Sequence, residues 1–186
     1  MQRVYGIIVM LKRVLQKSFG KKRGAVTVFL FSAVILLFAG CGKSPETHKA
    51  EIEQKGIPYS NEAFFKAVNE GDRELVSSFI KAGIDINAKE DDGRTALLIA
   101  AEKGDAGMAA LLADSGADVN ARDVDGYTAL MYAAYKGNLE LSELLVNHGA
   151  DVHAKDKDGW TALRFALLQG KTQVAELLKK HASGKQ

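Results

Sequence analysis

Side chains that could ligate a metal or attack a substrate are few in this chain, and they are poorly grouped. His148, Asp151 and His153 form the densest set, and two imidazoles flanking a carboxylate are the residue types that hold zinc. Their spacing matches no ligand pattern, however, and the remaining histidines, His48 and His181, stand apart. Glu90-Asp91-Asp92 and Asp156-Lys157-Asp158 offer the oxygens that calcium takes, but aspartate is also the residue that turns favour for its bonds to nearby backbone. Ser77, Ser78, Ser115 and Ser142 lack a partner pattern for a nucleophile. No Gly-x-Ser-x-Gly or phosphate-binding loop occurs. The residues therefore suggest no enzyme, no cofactor and no metal, with a metal-dependent module around His148 and His153 as a minor alternative. Cys41 is the single cysteine, so no disulfide can form within one molecule.

The elements that would position these residues follow a period. Gly93, Gly126 and Gly159 are 33 residues apart, and each introduces a Thr-Ala-Leu: Thr95-Ala96-Leu97, Thr128-Ala129-Leu130 and Thr161-Ala162-Leu163. Gly71, Gly104, Gly137 and Gly170 keep the same spacing, as do Gly83, Gly116 and Gly149 with the Ile-Asp or Ala-Asp that follows each. Three interleaved markers at one period mean a stacked repeat array. Within a unit, glycine after an acidic turn supplies a positive φ for a hairpin. Threonine caps a short first helix whose apolar face carries Leu97, Ala100 and Ala101, or Leu130, Ala133 and Ala134. A second helix carries the pairs Leu111-Leu112, Leu144-Leu145 and Leu177-Leu178. Asn87, Asn120 and His153 share one slot, where a side chain is expected to bond turn backbone. Ile99, Tyr132 and Phe165 share another and are assigned to the core, with Phe64, Phe65 and Phe79 as core or cap of the first unit.

Gly126-Tyr127-Thr128-Ala129-Leu130-Met131-Tyr132-Ala133-Ala134 resembles the ankyrin signature Gly-x-Thr-Pro-Leu-His-x-Ala-Ala. Alanine stands for the family proline, and Leu98, Met131 and Arg164 stand where histidine is common. The resemblance, over roughly residues 58–181, implies an all-α ankyrin-repeat solenoid of four helix-turn-helix units joined by hairpin turns. The units run about 58–89, 90–122, 123–155 and 156–186 within a domain spanning 58–186, the first lacking the Gly-x-Thr turn.

The first forty residues are of another kind. Residues 1–40 hold seven Lys or Arg and no Asp or Glu, and Ala25–Ala39 is almost wholly apolar. A basic head, a short apolar stretch and small residues before a break describe a secretory signal peptide. The stretch is shorter than the roughly 20 residues of a spanning helix. Phe38-Ala39-Gly40-Cys41 resembles the bacterial lipoprotein box, which implies lipid modification of Cys41 as the first residue of the mature chain; an uncleaved anchor is the alternative. Translation is expected to begin at Met10. Gly42 after the cysteine fits, within that resemblance, delivery to the periplasmic face of the outer membrane. Residues 41–57, polar and poor in apolar side chains, read as a flexible tether with room for a turn of helix over Ala50–Lys55.

The precursor's formal charge of +2 is a property of the leader: from residue 41 onward 18 basic side chains face 23 acidic ones, a net −5. That balance gives a nucleic-acid footprint no support. The array therefore reads as a surface for another protein, probed through positions that vary while the framework repeats. Arg94, Tyr127 and Trp160 fall in one row, neighbours separated by roughly 10 Å; Tyr135 and Leu168 make a second row beside it, and Glu102, Lys136 and Gln169 are further varying positions. Trp, Tyr and Arg are the types enriched among binding hot spots, and since Arg94 fills the same slot, packing does not demand an aromatic there; the alternative is that Tyr127 and Trp160 merely cover adjacent turns. The expected role is a monomeric, lipid-anchored envelope protein that binds a protein partner. An immunity or protective protein acting against a toxin or effector in the periplasm is the narrower alternative.

Overall fold

The structure, a computed structural model, describes residues 44–184. The leader and Cys41 lie outside the described residues, as do Lys185 and Gln186. Nine helices and no strand are described: α1 Pro45–Gln54, α2 Asn61–Glu70, α3 Arg73–Lys81, α4 Ala96–Lys103, α5 Ala106–Asp114, α6 Ala129–Lys136, α7 Leu139–Asn147, α8 Ala162–Leu168 and α9 Thr172–Ser183. None is long and apolar enough to cross a membrane. From α2 onward they form four pairs. The first helices (α2, α4, α6, α8) pack on one another in order, and the second helices (α3, α5, α7, α9) form a layer behind them.

The same local chemistry builds each pair. Thr95, Thr128 and Thr161 are extended N-caps whose hydroxyls accept from Leu98, Met131 and Arg164 N–H groups, and an alanine opens each helix. Gly104 and Gly137 end α4 and α6 in the left-handed conformation, which favours glycine because a Cβ is strained there. The fourth pair departs from this: α8 stops one residue earlier, with Gln169 as C-cap. Asp72, Asp105 and Asn138 cap the second helices, but Lys171 in that slot makes no capping bond.

The short first helices are buried more completely than a single apolar face requires. Every residue from Ala96 to Ala101 is at most 1% exposed, because α4 lies between α2 and α6 and also on α5. Alanines at 100, 133 and 166 are buried to 1% or less and let successive helices approach closely. Leu98 and Met131, in the slot where the resemblance would place histidine, are buried apolar contacts at 1% each. Phe165 is buried and Ile99 fully so, while Tyr132 is half-buried and donates its hydroxyl to Asp123; Phe64, Phe65 and Phe79 belong to the core.

Residues 41–57 were expected to form a flexible polar tether, and here the structure differs. Ser44 caps Pro45–Gln54, with proline in the first turn, a position where its missing N–H costs nothing. α1 packs on α3, and its Ile52 is 1% exposed within the core. Tyr59 completes this end: it stacks on Phe79 at 5.7 Å and donates its hydroxyl to Ala82 O at 3.0 Å. The turn allowed over Ala50–Lys55 is the end of this helix; its start escaped composition-based reading because a single buried isoleucine, among nine other residues that are mostly polar or small, carries its attachment. α1 covers apolar surface on α3 that a preceding repeat would otherwise bury. Ile52→Ala should therefore lower unfolding free energy by about 2–5 kcal/mol, measured by urea denaturation; a tether residue would show no change.

Candidate functional site

The hairpin tips and the outer turns of α4, α6 and α8 carry the varying positions, and the tips are fixed by carboxylates. Asp123 Oδ1 accepts from the N–H groups of Asp125 and Tyr127, both at 2.9 Å, while its Oδ2 accepts the Tyr132 hydroxyl at 2.7 Å. Asp156 likewise accepts from Asp158 at 3.0 Å and Trp160 at 2.8 Å. Burial, and then the bond to Asp123, push the Tyr132 phenol far above its ordinary range, so it remains a neutral donor. The acidic residues of the turns thus bind their own backbone and build the loops.

Successive tips are bonded to each other. Val124 N–H donates to Asp92 O and Lys157 N–H to Asp125 O, each at 3.1 Å. A Cβ on Gly126, at φ 86°, would lie 3.2 Å from Asp156 Cα, so the close approach of neighbouring turns requires glycine there as much as the torsion does. Behind the tips, Asn87 Oδ1 accepts from Asp118 N–H and Asn120 Oδ1 from Asp151 N–H, both at 2.8 Å. The slot shared with His153 is therefore a bridge from one pair to the next, not only a bond within a turn. His153 occupies the third such slot, ahead of the fourth pair, and is exposed. His148 bonds elsewhere, and no group of three or more His, Cys, Asp or Glu is placed to hold a metal among the described residues.

The first row divides between an ion cage and an aromatic cluster. Arg94 is enclosed by three carboxylates: Glu102 at 2.5 Å, Glu90 at 3.3 Å, and Asp92 Oδ2 at 2.6 Å from Nε, the last an ion pair without hydrogen-bond geometry. Arg94 and Glu102 therefore satisfy each other. Tyr127 and Trp160 are half-buried, each about 5.4 Å from the Phe165 ring, and Arg164 lies over Trp160 at 4.1 Å, a cation–π contact. Burial, followed by Asp156, Asp158, Asp125 and Asp123, raises the Tyr127 phenol pKa, a sign of the negative field around the tips.

The second row is open. Tyr135 is 52% and Leu168 59% exposed, one period apart, with exposed Lys136 and Gln169 following them in sequence. Tyr135 meets Phe165 edge-on at 6.5 Å. Two further apolar residues are exposed, Val124 at its hairpin tip and Leu167 at 54%. Leu167 was not singled out from the sequence, yet the signal was there: it occupies the slot of Ala101 and Ala134, both wholly buried.

The repeating turns, caps and inter-pair bonds are matched by a sequence comparison. The family model for ankyrin repeats matches three overlapping stretches, residues 32–123, 64–156 and 121–186. The chain belongs to the ankyrin-repeat family. No curated protein compared with it matches. Ankyrin repeats are typically interaction modules rather than catalysts, and this array accordingly presents a protein-binding type of surface. Within it, packing separates the rows. Tyr127→Ala and Trp160→Ala should each destabilise the ankyrin array by about 1–3 kcal/mol, less than a fully buried aromatic. Tyr135→Ala and Leu168→Ala should stay within about 0.5 kcal/mol of wild type in the same urea titration.

Proposed function

We propose that this ankyrin-repeat protein is a monomeric, lipid-anchored component of a bacterial envelope. It acts by holding another protein, with no catalytic step and no nucleic acid involved. The observation that carries the binding half is the pair Tyr135 and Leu168, large apolar side chains more than half exposed on adjacent first helices. An aromatic and an aliphatic anchor beside polar Lys136 and Gln169 have the make-up of an interface centre with its rim. Arg94, Glu102, Tyr127 and Trp160 support that surface from within and from its edges: the cage and the aromatic cluster hold the tips still, which reduces the ordering cost of binding.

The anchoring half is supported by the basic, apolar and small-residue succession of residues 1–40 and by a single cysteine directly after it. On this reading the lipid is attached at Cys41, on the periplasmic face of the outer membrane.

Two measurements test the halves separately. Wild-type protein should co-purify a partner from native envelopes, and the Tyr135→Ala/Leu168→Ala double variant, at unchanged helix content, should lose it; retention by the variant would sink the surface assignment. Mass spectrometry should find Cys41 acylated at the mature N-terminus, and Cys41→Ala should move the protein out of the membrane fraction. An unmodified Cys41 in membrane-bound protein would refute the anchor.

A further inference from the structure

We propose that His148 and Asp114 form a proton-dependent clasp across the joint between the second and third helix pairs, so that the array is held more firmly there in mild acid than in mild alkali. α5 ends at Asp114, and His148 is the C-cap of α7. The two imidazole nitrogens face two groups: Nδ1 lies 2.9 Å from Leu144 O, and Nε2 lies 2.9 Å from Asp114 Oδ1. A carbonyl and a carboxylate only accept. A neutral imidazole has one N–H and can satisfy one of them, whereas the imidazolium donates to both. The geometry therefore selects the charged ring, and its place at a helix C-terminus favours a cation further. Accordingly, the Leu144 bond first, and then the bond to Asp114, hold the His148 pKa above its ordinary value, against a smaller opposing effect of burial.

The clasp is specific to one joint. In the corresponding slot, the second pair has Ser115, which donates to Leu111 O at 2.7 Å, and the first has Ala82. The fourth has His181, whose Nδ1 bonds Leu177 O at 3.0 Å, but the counterpart of Asp114 there is Asn147, an uncharged amide. Other bonds across the second joint, from Val124 N–H to Asp92 O, from Asp151 N–H to Asn120 Oδ1 and from the Asn120 amide N–H to Gly149 O, involve groups that do not titrate between pH 5 and 8.

Of the charged groups on elements packed against α7, only Asp114 bonds the ring. Lys136 of α6, Glu140 and Glu143 of α7 itself, and Glu176, Lys179, Lys180 and His181 of α9 do not, and the loop carboxylates Asp118 and Asp151 accept instead from the Asn120 and His153 N–H groups. The pair is solvent-accessible, with His148 33% and Asp114 70% exposed, so salt should weaken it.

A folded-state pKa above the unfolded one fixes the sign. The clasp is complete below about pH 6.5, the value of an unperturbed histidine, and is lost as pH rises through the higher folded value. In the full chain, in detergent, NMR titration should show His148 losing its proton at higher pH in wild type than in Asp114→Asn. The urea midpoint of wild type should fall more between pH 6 and pH 8 than that of His148→Gln, and high salt should shrink the difference. Identical titration of His148 with and without Asp114, or an equal fall in both midpoints, would overturn the clasp.

Discussion

A single helix pair from this chain has apolar surface facing both forward and back along the stack, and it can bury neither side alone. Ala96 to Ala101 illustrate the constraint: six consecutive residues leave water because α2, α5 and α6 surround α4, and an isolated helix of eight residues would be marginal in water. Much of the core is therefore shared between pairs, and the register of one pair on the next must be set accurately. Alanines at the helix contacts set the distance, while backbone bonds between the tips and the asparagine bridges behind them set the register.

From that constraint follows the behaviour of the two ends. Before the first pair, α1 takes the place of a neighbour and puts Ile52 into the core. At the fourth, the slot leading into it holds His153 in place of a bridging asparagine, the helix cap is lost at Lys171, and Leu167 stands exposed where interior pairs have buried alanine. Arg164, in the slot of buried Leu98 and Met131, instead lies across Trp160 and presents a polar group to solvent. The ends thus bend the repeating rules where the neighbour that enforces them is missing.

The surface inherits its division from the same stacking. Positions whose side chains reach back to their own turn become structural, as with Arg94 among its carboxylates and Trp160 on Phe165. Positions in the last turn of the first helices, such as Tyr135 and Leu168, remain more than half exposed, although Tyr135 touches Phe165 with its ring edge. An array braced this way binds with little reorganisation, because the groups beside the open residues are already held.

Period and residue type were sufficient for the four pairs, the threonine caps of the last three first helices and their turns: a threonine two residues after a turn glycine has one good use, and it recurs three times. The hairpin-tip aspartates were also readable as turn formers. What depended on three dimensions were the partners of individual side chains. Arg94 and Tyr127 share a slot in sequence, yet one meets acids and the other aromatic rings, since the neighbours differ from pair to pair. His148 was a variable residue beside a glycine until folding set its ring between Leu144 O and a carboxylate 34 positions earlier. Ile52 in a polar segment gave no periodic signal, because one buried contact suffices to dock a short helix on a face already built. Local propensity and spacing act within a turn or two of chain, so the sequence by itself determined the repeat; contacts between pairs join residues some 33 apart, and only the tertiary structure decided which side chains are bound and which are free.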